Sequence, residues 1–260
     1  MAHGGAKLLY PENTMLAFES CLQYGVDMLE MDVCLTKDHI LVTHHNLTID
    51  ETSEATGAVA DYTFEQLQQF NFGYRFTDLK GDQPYKTTKV LISSLEQVLK
   101  RFPDMDMIVE IKNNGEAGTK AADLLWELIE KYHAENRLIV ASFYAKPLQY
   151  FRQISQGKVY TSMSKPEITK MVLLNKVGLE YFHHPKGSSI QVPTQSSGIS
   201  LADERFINKM KQQGIATHFW TINDSTEMRK LINLKADGII TDRPDLLQAL
   251  LGEYGPVTQN

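Results

Sequence analysis

The chain has 260 residues, 42% of them hydrophobic and 22% charged, with a formal net charge of −6. This composition describes a water-soluble globular chain with a substantial core, and the length suits a single α/β barrel. The negative balance excludes a broad phosphate-binding surface for nucleic acid. Two cysteines, Cys21 and Cys34, are too few for a disulfide framework. No basic segment followed by an apolar run opens the sequence, and no apolar run approaches the ~20 residues of a membrane span. A cytoplasmic location is therefore expected.

Met1-Ala2-His3-Gly4-Gly5 opens the chain, with no apolar strand ahead of the histidine. Pro11-Glu12-Asn13-Thr14 predicts a turn with Asn13 as helix N-cap, and Met15, Phe18 and Leu22 continue at helical spacing to a stop at Gly25. Leu29-Glu30-Met31-Asp32-Val33 predicts a strand in which Glu30 and Asp32 share one face and the apolar residues the other. Ile40 to Thr43 predicts its extension, running into His44-His45. Residues 46–93 are rich in Thr, Asp, Gly and aromatics, with one short helical segment near Thr63 to Phe70 and no strong strand pattern. A segment this long reads as an insertion over the mouth of a barrel rather than a connection within it.

Beyond it the pattern is regular. Helices are predicted at Ser94 to Arg101, through Ala121, Leu124, Leu125, Leu128, Ile129 and Tyr132, and at Pro147 to Ser155 and Glu167 to Asn175. Strands are predicted at Met105 to Ile111, Arg137 to Phe143, Lys158 to Ser162 and, within the less patterned stretch 178–201, at Ser189 to Val192. Glu204 to Gln213, Ser225 to Leu234 and Pro244 to Leu251 read as helices around strands at Ile215 to Thr221 and Gly238 to Ile240. About seven or eight βα units predict a (β/α)₈ TIM barrel over residues 1–251, with 252–260 as a frayed tail.

In such barrels function collects at the C-terminal ends of the strands. Here those ends carry Glu30 and Asp32, then His44-His45, then Glu110 and Lys112, then Trp220 with Asn223, and finally Thr241-Asp242-Arg243. Two neighbouring carboxylates on a strand are expensive to bury without a cation. Glu30, Asp32 and Glu110 together make an all-oxygen set that suits Mg²⁺ or Ca²⁺ rather than zinc. Lys112 supplies positive charge for an anionic group, and His3 and His45 titrate in the range needed of an acid and a base. His39, His133 and His218 read as surface or packing residues, and His183-His184 as a loop feature.

The motifs AHGG…YPENT, LEMDV, HNLTIDETSEATG, VEIK, FWTIND and DGIITDRP, in order from His3 to Pro244, resemble the glycerophosphodiester phosphodiesterases. That resemblance implies a barrel with an insertion after the second strand. It also implies cation-dependent hydrolysis of small glycerophosphodiesters to glycerol 3-phosphate and an alcohol. It makes Glu30, Asp32 and Glu110 the metal ligands, His3 and His45 the acid–base pair, Lys112 a phosphate ligand, and Trp220 part of the glycerol or leaving-group pocket. His45 is preferred over His44 because the family pattern of His, Asp, two residues, Leu, one residue, Arg, Thr fits His45-Asn46…Ile49…Glu51-Thr52. Three positions depart from the family: Gly4 stands where it has an arginine, Asn46 for an aspartate and Glu51 for a second arginine. Alternatives are a related enzyme for larger lipid head groups such as lysophospholipids, favoured by an apolar mouth built from Phe70, Phe72, Tyr74 and Phe76, or a phosphodiester-binding protein that has lost turnover.

Overall fold

The computed structural model describes residues 1–178, 185–196 and 198–254. His183 and His184 lie outside this set. Eight parallel strands among the described residues form the barrel: β1 (Ala2–His3), β2 (Met28–Leu35), β4 (Asp106–Ile111), β5 (Leu138–Ala141), β6 (Tyr160–Thr161), β7 (Ser189–Val192), β10 (Ala216–Phe219) and β11 (Gly238–Ile239). A bridge between Ser162 and Ser189 joins β6 to β7, and one between Ala2 and Thr241 closes the last strand onto the first. Around it run α1 (Met15–Cys21), α3 (Leu95–Arg101), α4 (Gly115–Lys131), α5 (Ala145–Ile154), α6 (Lys165–Val177), α7 (Glu204–Gln212), α8 (Ser225–Asn233) and α9 (Pro244–Tyr254). A two-stranded hairpin, β8 (Gln195–Ser196) and β9 (Ile199–Ser200), precedes α7. The last helix runs three residues beyond the predicted Leu251.

Strand alternation decides what faces the barrel axis. Leu29, Met31 and Val33 of β2 and Met107, Val109 and Ile111 of β4 are fully buried against the helices. Glu30, Asp32 and Glu110 therefore point to the axis, above an interior plug of Ile108, Ala141 and Ile240. β2 is central, hydrogen-bonded to β1 and β4, so its acidic face is no solvated edge.

The short β1 is anchored by backbone hydrogen bonds to the end of the last strand. The His3 amide donates to the Thr241 carbonyl at 3.0 Å, and the Thr241 amide to Met1 at 3.1 Å. Two further features differ from the sequence reading. Thr14, not Asn13, caps α1, accepting from the Ala17 amide; Asn13 sits at φ 56° with its side chain turned into the barrel. The predicted extension of β2 is a separate strand, β3 (Leu41–Thr43), folded back antiparallel on Val33 to Leu35. The hairpin between them turns at His39, whose φ is 60°.

Residues 46–93 contain α2 (Phe64–Leu67), capped reciprocally by Thr63 and Gln66, and a 3₁₀ turn at Val59–Asp61. Ile49, Val59, Leu67, Phe72 and Ile92 bury a small core of their own against Cys34 and Val42. The segment thus packs on the flank of β2 and β3, and Asn46 and Leu47 are its residues that line the groove at the mouth. The aromatic residues expected at the mouth are spent elsewhere: Phe70 packs on Tyr62, Phe72 on His44 and Phe76 on Tyr85. Among the described residues no helix is long and apolar enough to cross a membrane.

Candidate active site

The C-terminal ends of the strands enclose a cavity of about 140 Å³ lined by His3, Glu30, Asp32, His45, Glu110, Lys112 and Trp220, among others. All seven residues singled out in the sequence thus meet at one place. One carboxylate oxygen from each of Glu30, Asp32 and Glu110 lies within 4.8 Å of the other two. The β2–β4 register sets Asp32 beside Glu110. Lys112, just beyond the end of β4, places Nζ 3.3 Å from both Asp32 Oδ1 and Glu110 Oε1.

Among the described residues, this is a site short of positive charge. Burial, and then the charge of Asp32, raises the carboxyl groups of Glu30 and Glu110 above their ordinary range. Asp32 behaves oppositely. Its burial is outweighed by Lys112, His45 and His3, which hold it below the usual carboxylate range. The two directions express one fact: Lys112 pairs with Asp32 and Glu110, Glu30 is left facing His3, and Asp32 gains most from the nearby positive charge.

His3 is fixed by groups from the far end of the chain. Its Nδ1 lies 2.6 Å from Asp242 Oδ1, and Asn223 donates to Asp242 Oδ2 at 2.7 Å. The Asn223 side-chain oxygen in turn accepts from the Asp242 amide at 2.9 Å and the Thr241 hydroxyl at 3.1 Å. Burial disfavours a charged imidazole, but Glu30 and the Asp242 bond outweigh it and raise His3 to about 9. His3 Nε2 faces the acidic cluster, 3.9 Å from Glu30 Oε2.

The adjacent histidines part company. His44 is buried in the flank, with Nδ1 2.7 Å from the Asn46 carbonyl and Nε2 2.9 Å from Thr52 Oγ1. His45 lines the cavity, its Nδ1 2.8 Å from Asn46 Oδ1. Asn46 Nδ2 donates to Glu51 Oε2 at 2.6 Å. Because a carboxylate only accepts, the amide must turn its oxygen to His45, so His45 carries hydrogen on Nδ1, and in the neutral ring Nε2 is the acceptor. Asn46 and Glu51, both departures from the family pattern, together orient this ring.

Three residues of the site were not assigned from the sequence. Asn13 grips Asp32 twice, donating to Oδ2 at 3.0 Å and accepting from its amide at 3.1 Å. Asp242 is the partner of His3; its place at an unusual strand end was visible, its role was not. Gln191, on β7, lines the cavity with a buried Nε2 that has no hydrogen-bond partner among the described residues. Gly4 lies at φ 53°, and its amide donates to Glu30 Oε2 at 3.1 Å. That amide is committed to a carboxylate.

The model of the glycerophosphoryl diester phosphodiesterase family matches residues 3–246. The chain belongs to this family. Its phosphodiesterase relatives include one from Bacillus altitudinis, 29% identical over 94% of both chains, and one from Caldanaerobacter subterraneus subsp. tengcongensis, 28% identical over 98% of both. Both are named glycerophosphodiester phosphodiesterase. The fold is shared with the phosphodiesterase domain of a Mycobacterium tuberculosis protein, at a TM-score of 0.85 and 20% identity over 96% of this chain and 97% of that one. It is also shared with an Oleispira antarctica phosphodiesterase solved with the product sn-glycerol-3-phosphate, at 0.76 and 18% over 96% and 95%.

Proposed function

We propose that this phosphodiesterase cleaves small glycerophosphodiesters to glycerol 3-phosphate and an alcohol, with a divalent cation held by Glu30, Asp32 and Glu110. The observation that carries the reading is the convergence of three buried carboxylates and two differently held histidines on one cavity. The residues fit a hard cation: every donor is oxygen, and two of the three carboxyls are raised by burial and by the charge of Asp32. When bound, Mg²⁺ or Ca²⁺ would neutralise phosphate charge and make a nearby hydroxyl more acidic.

The chain's own groups divide the remaining work. Lys112 reaches the same space and would bind a phosphate oxygen. His45, with Nε2 as the acceptor of its neutral ring, is suited to accept the nucleophile's proton. His3, raised to about 9 and held by Asp242, is suited to protonate the departing alcohol. Trp220, edge-on to Phe143 at 5.8 Å between centroids, would wall the organic part of the substrate. The unpartnered Gln191 amide would donate to one of its oxygens.

The test is release of glycerol 3-phosphate from glycerophosphocholine, with and without chelator. Activity should vanish in chelator, return with Mg²⁺ or Ca²⁺, and be lost in both His3→Ala and His45→Ala. Tight binding with no product released would instead make the protein a phosphodiester-binding homologue.

A further inference from the structure

The loop after β1 carries one basic residue, Lys7, and the winding of the loop brings it back to the site. Gly4, Gly5 and Ala6 all lie at positive φ, 53°, 76° and 80°, so the chain reverses at once. The His3 carbonyl accepts from the amides of both Ala6 and Lys7, at 3.1 and 3.2 Å. Position 5 admits only glycine, because a Cβ there would meet Phe18 Cδ1 at 2.7 Å. The Asn13 amide donates to the Gly4 carbonyl at 2.9 Å, which sets Glu12 beside the same turn.

Lys7 Nζ lies 2.7 Å from Glu12 Oε2, with the lysine side chain 36% and the glutamate 14% exposed. A pair this open contributes little to fold stability, so its use lies elsewhere. Burial works against the lysine's charge, but Glu12, then Asp242 and Asp32, outweigh it and raise Lys7 above its ordinary range. Two of those three carboxylates belong to the site: Asp242 holds His3, and Asp32 is a candidate cation ligand. The charge on Lys7 is therefore coupled to the cavity.

Gly4 gives this coupling its meaning. It stands where the family resemblance implies an arginine. A Cβ at that position would lie 3.4 Å from Glu12 Cβ, so a side chain there would rise along Glu12. In this chain Lys7 meets Glu12 instead. We propose that Lys7 is a positioning residue for the substrate: by neutralising Glu12 beside the His3 turn, it lends the cavity positive charge that draws the phosphodiester anion to Lys112. The choice of anion rests on the reaction proposed above. Lys7 is not among the residues that line the cavity, so it acts through the field and not by contact. Such fields reach about 10 Å at 0.1 M salt, where one charge changes anion affinity about two- to tenfold.

The test reads the sign of two opposite changes. Calorimetric binding of glycerol 3-phosphate with Mg²⁺ present, at about 20 mM salt, should weaken about two- to tenfold in Lys7→Gln and further in Lys7→Glu. Lys7→Arg should bind like the parent. Glu12→Gln should tighten binding by a similar factor, because the lysine then stands uncompensated. These differences should shrink below about twofold at about 0.5 M salt, and KM for glycerophosphocholine should follow them more than kcat does. Weaker binding in both Lys7→Gln and Glu12→Gln, or a loss that salt leaves unchanged, would make the pair a brace for the loop and overturn the proposal. So would parental affinity in Lys7→Gln, or a parent that does not bind glycerol 3-phosphate. Binding needs no turnover. If glycerophosphocholine is not hydrolysed, the proposed reaction fails while Lys7 is still judged; unchanged affinity in Lys7→Gln refutes the role of Lys7 even where the diester is cleaved.

Discussion

Asp242→Asn isolates the group that holds His3, and the surrounding hydrogen bonds determine its effect. Asp242 accepts on both oxygens, from His3 at 2.6 Å and from Asn223 Nδ2 at 2.7 Å. Asn223 cannot turn over, because its oxygen is already taken by the Asp242 amide and the Thr241 hydroxyl. An asparagine at 242 must therefore either aim its NH₂ at that of Asn223, or aim it at His3 and force the Nδ1 proton off the ring. Either way the charge-assisted bond is lost, about 1.5–3 kcal/mol. At 1.36 kcal/mol per pH unit the His3 ionisation should fall by about 1–2 units. The sign is fixed: removing a negative partner disfavours the imidazolium. The basic limb of the kcat/KM profile should move down by that amount, with about a 2- to 10-fold loss at pH 8 that grows toward about 10- to 100-fold above pH 9. A cation held at the site would be common to both proteins and would offset both profiles in the same direction. A variant with parental activity and an unmoved basic limb, beside an inactive His3→Ala, would show that Asp242 does not act through His3.

Three other perturbations probe the site and its scaffold. Asn13→Ala removes both bonds to Asp32 and should weaken cation binding about 10- to 100-fold, measured by calorimetric titration; unchanged affinity would make Asn13 a turn residue only. Glu30→Gln should abolish activity yet stabilise the chelated protein by about 1–3 kcal/mol in urea unfolding near pH 7, because the cost of burying an acid that ionises freely in the unfolded chain disappears; a less stable variant would contradict the charge argument. Burial lowers His218 to about 4 from 6.5, and its Nδ1 has no partner among the described residues. The unfolded chain therefore takes up a proton that the folded one refuses, and stability should drop by about 3 kcal/mol as pH falls from 6.5 to about 4. His218→Gln should remove that part of the slope, and parallel parent and variant curves would rule it out.

The βα rhythm was legible because each strand and helix carries its own periodicity, and the alternation in Leu29 to Val33 already put Glu30 and Asp32 on one face. What stayed hidden depends on closure of the ring. His3 and Asp242 are 239 positions apart and meet only because the last strand bridges to the first. No local pattern encodes that distance. Asn13 misled for a local reason: Asn and Thr are both good caps, and the tertiary pull of Asp32 decided between them. The aromatic run from Phe70 to Phe76 misled because composition cannot separate a core from a mouth. Phe70 and Phe72 pack into the insertion's own core and Phe76 stacks on Tyr85, while the exposed apolar surface comes from Leu47, Phe143 and α6.

The departures from the family pattern are of two kinds. Asn46 stands where the family resemblance implies an aspartate, and its amide oxygen accepts from His45 Nδ1 as a carboxylate would, with Glu51 ensuring that the oxygen is the atom presented. An amide here carries no charge but still orients the ring. Gly4 has no such substitute. Its amide is bound to Glu30, and Lys112 must serve Asp32 and Glu110 as well as any phosphate. A cation held by these carboxylates would relieve this competition, and Lys112 would then be free to turn toward a substrate phosphate. Phosphate binding in this chain should therefore depend on the cation more steeply than in relatives that keep the arginine, because here one lysine can turn to the phosphate only after the carboxylates are satisfied.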